Sequence, residues 1–109
     1  MENALNEKII IITGASSGIG EAMARLYAKM GAKVVLGARN EEKLLLLTQI
    51  IRAAGGAATY LATDVTNEED CKCLIAKAVK TFGGVDVMMC NAGISMRASF
   101  DDVEMKVLH

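Results

Sequence analysis

Proline and tryptophan are absent from this 109-residue chain, histidine occurs once, and aromatic residues make up 4% of it. An excess of charge of either sign is also lacking, since twelve basic and thirteen acidic residues leave a net charge of −1. That balance provides no electrostatic footprint for nucleic acid or for an anionic membrane surface. No apolar run is long enough to span a bilayer. The run Ile9-Ile10-Ile11-Ile12 is too short even for a secretory h-region, and Met1 to Glu7 carries no basic residue. A cytosolic protein is the expectation. Cysteine is sparse, with Cys71, Cys73 and Cys90 only. An odd number without a secretion signal points to reduced thiols. Cys71 and Cys73 fall two apart in an expected helix and so point in different directions, and the single histidine, His109, is the last residue. A zinc site is therefore not expected, and the cysteines read as buried or half-buried structural residues. Linkers, repeats and low-complexity tracts are lacking too. With 52% hydrophobic residues, the chain reads as one globular domain over residues 1–109.

What is present is an alternation of strand and helix patterns. Lys8–Thr13 is a continuous β-branched run of the kind buried on both faces of a parallel sheet. A helix is expected over Gly18–Met30, with Ile19, Ala22, Met23, Leu26 and Met30 on its inner side and Gly31 as its stop. Lys33–Ala38 reads as the second strand. Asn40 is the expected N-cap of a helix over Glu41–Ala54, which Gly55 and Gly56 end. Ala57–Thr63 is the third strand. Thr66-Asn67-Glu68-Glu69 fits a capping box with Thr66 as cap. The helix it opens runs to about Phe82, with Leu74, Ile75, Ala78, Val79 and Phe82 inward. Val85–Cys90 is the fourth strand, and Ser99–Asp102 is a cap-like sequence opening a further helix that reaches His109. Short connections with helical crossovers imply a parallel sheet and right-handed crossovers. The expected architecture is α/β, a Rossmann-like doubly wound parallel sheet of strand order 3-2-1-4, truncated after the fourth strand.

The chain is organised around Thr13-Gly14-Ala15-Ser16-Ser17-Gly18-Ile19-Gly20. A buried strand, a glycine turn and a helix start form a phosphate cradle, because the helix presents its N-terminal N–H groups and the positive end of its dipole. Gly14 clears the turn off the strand, Gly18 permits close approach to a pyrophosphate, and Gly20 lets the helix pack tightly. Ser16 and Ser17 add hydroxyl donors, and Ile19 lies within the same cradle.

The spacing T-G-x-x-x-G-x-G, together with Asp64-Val65 after the third strand and Asn91-Ala92-Gly93 after the fourth, resembles the short-chain dehydrogenase/reductase family. The resemblance covers essentially the whole chain. It implies hydride transfer between a nicotinamide dinucleotide and a small carbonyl or alcohol substrate. It also implies that Asn91, Ala92 and Gly93 steady the sheet and line the ribose site. Asp64 is placed to accept from the adenine amino group, with Val65 packing on the ring. At the end of the second strand, Ala38 stands where an acid would accept from a ribose 2′-OH, and Arg39 follows it. A guanidinium there pairs with a 2′-phosphate, so NADP(H) is expected rather than NAD(H), with Ser17 adding a donor.

The residues that complete such a site in the family are missing. Family members use a tyrosine as general acid/base with a lysine four residues on. Here Tyr27 is followed by Gly31 and Tyr60 by Asp64. Ser95 comes too early for the family's substrate serine. The chain is therefore expected to be the cofactor-binding half without the catalytic half, and inactive by itself. The alternative is a noncatalytic nucleotide-binding or partner-binding module. The outer edge of the fourth strand is apolar, with Asp86 its one charge, and self-association through that edge is expected.

Overall fold

A computed structural model describes residues 5–15 and 18–90 of the chain. Strands β1 (Ile9–Thr13), β2 (Lys33–Ala38), β3 (Ala57–Ala62) and β4 (Val87–Cys90) alternate with helices α1 (Gly18–Lys29), α2 (Glu41–Ala53) and α3 (Glu68–Phe82). All strand pairs are parallel, in the order β3-β2-β1-β4. This is the doubly wound order read from the sequence. The expected helix over Ser99–His109 lies outside the described residues.

The sheet is buried on both faces, which explains why β1 reads as an unbroken apolar run. Residues alternate between two cores. Ile10, Ile12, Val34, Leu36 and Ala58 pack with residues of α1 and α2, whereas Ile9, Ile11, Val35 and Met88 pack with α3. Full burial of each large aliphatic side chain contributes about 1.5–3 kcal/mol. In α2, Leu44, Leu47, Thr48 and Ile51 are buried at helical spacing while Leu45, Leu46 and Ile50 remain exposed, so a four-leucine run resolves into one inward stripe.

Strand ends differ from expectation by one or two residues, with physical causes. Ahead of β4, Ile9 N–H donates to the Asp86 carboxylate at 2.8 Å, so a side chain takes the acceptor role there, while Asp86 N–H still donates to Ile9 O. Past β3, Thr63 N–H donates to Ala38 O at 2.8 Å and carries the ladder one residue further.

The helices bring three corrections. The inward residues of α1 are Gly20 and Ala24, with Met23, Tyr27 and Ala28 half-buried; Ile19 and Leu26 are 68% and 53% exposed. Small residues let α1 close on the sheet, and that contact chooses its face over the larger apolar stripe. In α3, Cys71, Leu74 and Ala78 are buried, but Val79 is half-exposed and the thiol of Cys73 faces solvent. Two residues along a helix is more than half a turn, so Cys71 and Cys73 cannot share a face. The N-cap of α3 is Asn67, whose side chain accepts from Asp70 N–H at 3.1 Å, and not Thr66. The Thr66 hydroxyl is already committed, donating to Asp64 at 2.6 Å. The cap at Asn40 is as expected, accepting from Lys43 N–H at 3.1 Å.

Candidate functional site

The carboxyl ends of β1, β2 and β3 lie along one edge of the sheet, and Gly14, Arg39 and Asp64 follow those ends. The order in which strands are added to the sheet switches between β1 and β4, and in doubly wound sheets a ligand crevice lies outside the carboxyl ends at such a switch point. The buried Thr13 ties the two strands there, its hydroxyl donating to Met89 O at 3.4 Å.

The glycines of the turn differ in what the protein itself requires of them. Gly14 has φ 65°, the left-handed conformation that glycine adopts without strain. A Cβ on Gly20 would lie 2.9 Å from Ala15 Cα and would meet the Gly14 carbonyl, so α1 rests directly on the turn. Among the described residues, a Cβ on Gly18 would meet nothing within 4 Å, and its φ is not left-handed. Packing against the described residues and backbone conformation therefore do not demand glycine at 18. Its bare backbone meets none of the described side chains at the helix N-terminus, where first-turn N–H groups have no intrahelical acceptors. An anionic phosphate fits this cradle chemically, with the backbone of Gly18 and Ile19 beside it and the helix dipole aligned. Ile19 contributes main chain, since its side chain is turned to solvent. Ser16 and Ser17 lie outside the described residues, as do Asn91, Ala92 and Gly93.

Arg39 and Asp64, read from the sequence as two separate contacts, are joined. Arg39 Nη2 donates to Asp64 Oδ1 at 3.0 Å across the ends of β2 and β3. The same oxygen accepts from Thr66 N–H at 3.0 Å and from the Thr66 hydroxyl. Asp64 N–H donates to Asp70 Oδ2 at 2.9 Å, and Asn67 N–H donates to Asp64 O at 2.9 Å. Asp64 is thus fixed by its own loop. The Thr66 hydroxyl and N–H, with Arg39, hold its carboxyl down at about 2, well below the ordinary 3.8. Thr66 and Asp70 are parts of the site that the sequence reading missed. The Asp-x-Thr spacing of an Asx-type turn was the available signal for Thr66. Val65 is half-buried against the α3-side core, and its carbonyl accepts from the Cys71 thiol at 3.7 Å.

Both tyrosines pack half-buried against the core on the α1 and α2 side. Neither has a lysine four residues on, since Gly31 follows Tyr27 and Asp64 follows Tyr60 at that spacing. Among the described residues no group of three or more His, Cys, Asp or Glu could hold a metal ion, and no helix is long and apolar enough to cross a membrane.

Comparison with known proteins agrees with this geometry. The sequence profile described as short chain dehydrogenase matches residues 8–108. An uncharacterized oxidoreductase of Listeria innocua is 53% identical over 90 residues, which are 83% of this chain and 36% of that protein. The chain therefore spans little more than a third of that curated relative. The crystal structure of L-sorbose reductase from Gluconobacter frateurii, complexed with NADPH and L-sorbose, superposes with a TM-score of 0.79 at 35% identity, covering 85% of this chain and 36% of the other. A short chain dehydrogenase/reductase from Burkholderia phymatum in complex with NAD gives a TM-score of 0.74 at 35% identity, covering 81% and 31%. With the profile matched over residues 8–108 and the parallel strand order β3-β2-β1-β4 found in the fold, this chain belongs to the short-chain dehydrogenase family.

Proposed function

We propose that this chain binds a nicotinamide dinucleotide, NADP(H) in preference to NAD(H), as the cofactor-binding part of an oxidoreductase acting on a small carbonyl or alcohol substrate. The observation that carries it is the bare backbone of Gly18 at the α1 N-terminus, where packing against the described residues has no need of glycine. Structural neighbours bound to NADPH and to NAD support the cofactor class. When bound, the nicotinamide supplies hydride chemistry. The residues of this chain bind and orient it. The turn after β1 takes the pyrophosphate through Gly14, Gly18, Ile19 and Gly20, with Ser16 and Ser17 adding donors. Arg39 takes the 2′-phosphate, Asp64 and Val65 the adenine, and Asn91, Ala92 and Gly93 the ribose side.

Proton transfer in carbonyl reduction needs a positioned acid, and a tyrosine near pKa 10 needs a nearby cation for that task at neutral pH. Tyr27 and Tyr60, packed on the core, do not serve it. The 109 residues by themselves are accordingly proposed to bind cofactor without turning over an aldehyde or ketone. The exposed thiol of Cys73 suits a reducing, cytosolic setting. Among the described residues β4 pairs with β1 alone, and its other edge is proposed to mediate self-association. A sharp monomeric sedimentation boundary at micromolar concentration would count against that.

The cofactor assignment is tested by titrating the intrinsic fluorescence of NADPH and NADH with the protein, which has no tryptophan to interfere. NADPH is expected to bind more tightly, and Arg39→Asp to invert the order. An unchanged ratio in that variant would remove the case for NADP(H).

A further inference from the structure

The sheet edge contains one charge relationship that cofactor binding alone does not require, the pairing of Arg39 with Asp64. We infer that Asp64 is a specificity-determining residue that competes with the cofactor's 2′-phosphate for Arg39, and so limits the preference for NADP(H) over NAD(H). This rests on the assignment of Arg39 to the 2′-phosphate made above.

The two partners are held very differently. Asp64 is immobilised, with Oδ1 accepting from the Thr66 hydroxyl at 2.6 Å and from Thr66 N–H at 3.0 Å, its own N–H donating to Asp70 at 2.9 Å, and its carbonyl accepting from Asn67 N–H at 2.9 Å. Arg39 is a long side chain, 70% exposed, with its hydrogen bond to Asp64 at 3.0 Å. A fixed carboxylate thus stands beside a guanidinium that is free to swing. Guanidinium and phosphate favour two parallel hydrogen bonds. For Arg39 to present that fork to a 2′-phosphate, it must share or give up the carboxylate. A ribose 2′-OH makes no such demand, and NAD(H) leaves the Arg39–Asp64 pair intact. The pair therefore opposes NADP(H) and is neutral towards NAD(H).

Contact of Asp64 with the adenine amino group does not confuse the effect, because adenine is common to both cofactors and cancels in their ratio. The bonds from Arg39 and Thr66 all fall on Oδ1, which leaves Oδ2 for that contact among the described residues. Asp64→Asn is the suitable variant. It keeps an oxygen for the two Thr66 donors and removes the charge that holds Arg39.

The experiment is a double-mutant cycle of Arg39→Ala and Asp64→Asn, reading dissociation constants for NADPH and NADH in each variant. Asp64→Asn is expected to raise the NADPH preference by about two- to fivefold, the range for an exposed ion pair. In the Arg39→Ala background the same change is expected to leave the ratio unaltered. A ratio that stays constant or falls in Asp64→Asn overturns the inference. So does a rise that persists undiminished without Arg39, because Asp64 would then act independently of it. If Arg39→Ala itself leaves the ratio unchanged, the assignment of the 2′-phosphate fails instead, and the two failures are thereby told apart.

Discussion

The space that a side chain at Gly20 would need is occupied by the turn it follows: a Cβ there would meet the Gly14 carbonyl and stand 2.9 Å from Ala15 Cα. Both obstructing groups are backbone, so neither can rotate away. Gly20→Ala must push α1 off the sheet edge or distort the turn. A loss of about 1–3 kcal/mol is expected, as for other overpacked sites, with a lower midpoint in urea at unchanged slope. A variant as stable as the parent would mean that α1 does not rest on the turn as found.

Thr48 has the opposite defect. It is fully buried in α2, and its hydroxyl has no hydrogen-bond partner among the described residues. An unsatisfied buried hydroxyl costs about 1–3 kcal/mol, and valine has nearly the same shape and the same β-branch. Thr48→Val is expected to stabilise the chain by about 1 kcal/mol, read as a raised Tm. A lowered Tm would mean that the hydroxyl has a partner.

How much could be read from the sequence depended on whether the deciding interaction was local. Strand order, the Asn40 cap and the glycine stops followed from patterns within a few residues. So did the jobs of Gly14 and Gly20, which the turn geometry bears out. The inner face of α1 did not. Ile19 and Leu26 make the stronger apolar stripe, yet close approach at Gly20 and Ala24 decides the face, and that is a property of the packed pair of elements. The cap of α3 was misplaced by one residue because Thr66 donates to a carboxylate two residues back, which leaves Asn67 to cap. The Arg39–Asp64 pair joins residues 25 apart and depends on strand register, so no local pattern could reveal it.

Asp64 gives a pH dependence with a definite sign. Its carboxyl titrates at about 2 in the folded chain against 3.8 ordinarily, chiefly because the Thr66 hydroxyl and N–H bond to the ionised form, with Arg39 adding to them. A depressed folded value contributes stability that is fully present above 3.8 and is lost as pH falls through about 2. Carboxyl-carbon NMR is expected to show Asp64 titrating near 2, and Thr66→Val to move the midpoint upward. A midpoint that does not move in Thr66→Val would remove the hydroxyl as the main cause.

On the proposed function, Gly18 is glycine for the sake of a ligand. That role is tested most directly by Gly18→Ala, with NADPH affinity and thermal unfolding measured on the same sample. A Cβ there meets nothing within 4 Å among the described residues, so Tm should stay within about a degree or two or rise slightly, since alanine favours the helix. NADPH affinity should fall by about tenfold or more as the methyl group enters the phosphate cradle. Unchanged NADPH affinity in a folded Gly18→Ala variant would contradict the assignment of this turn to the dinucleotide.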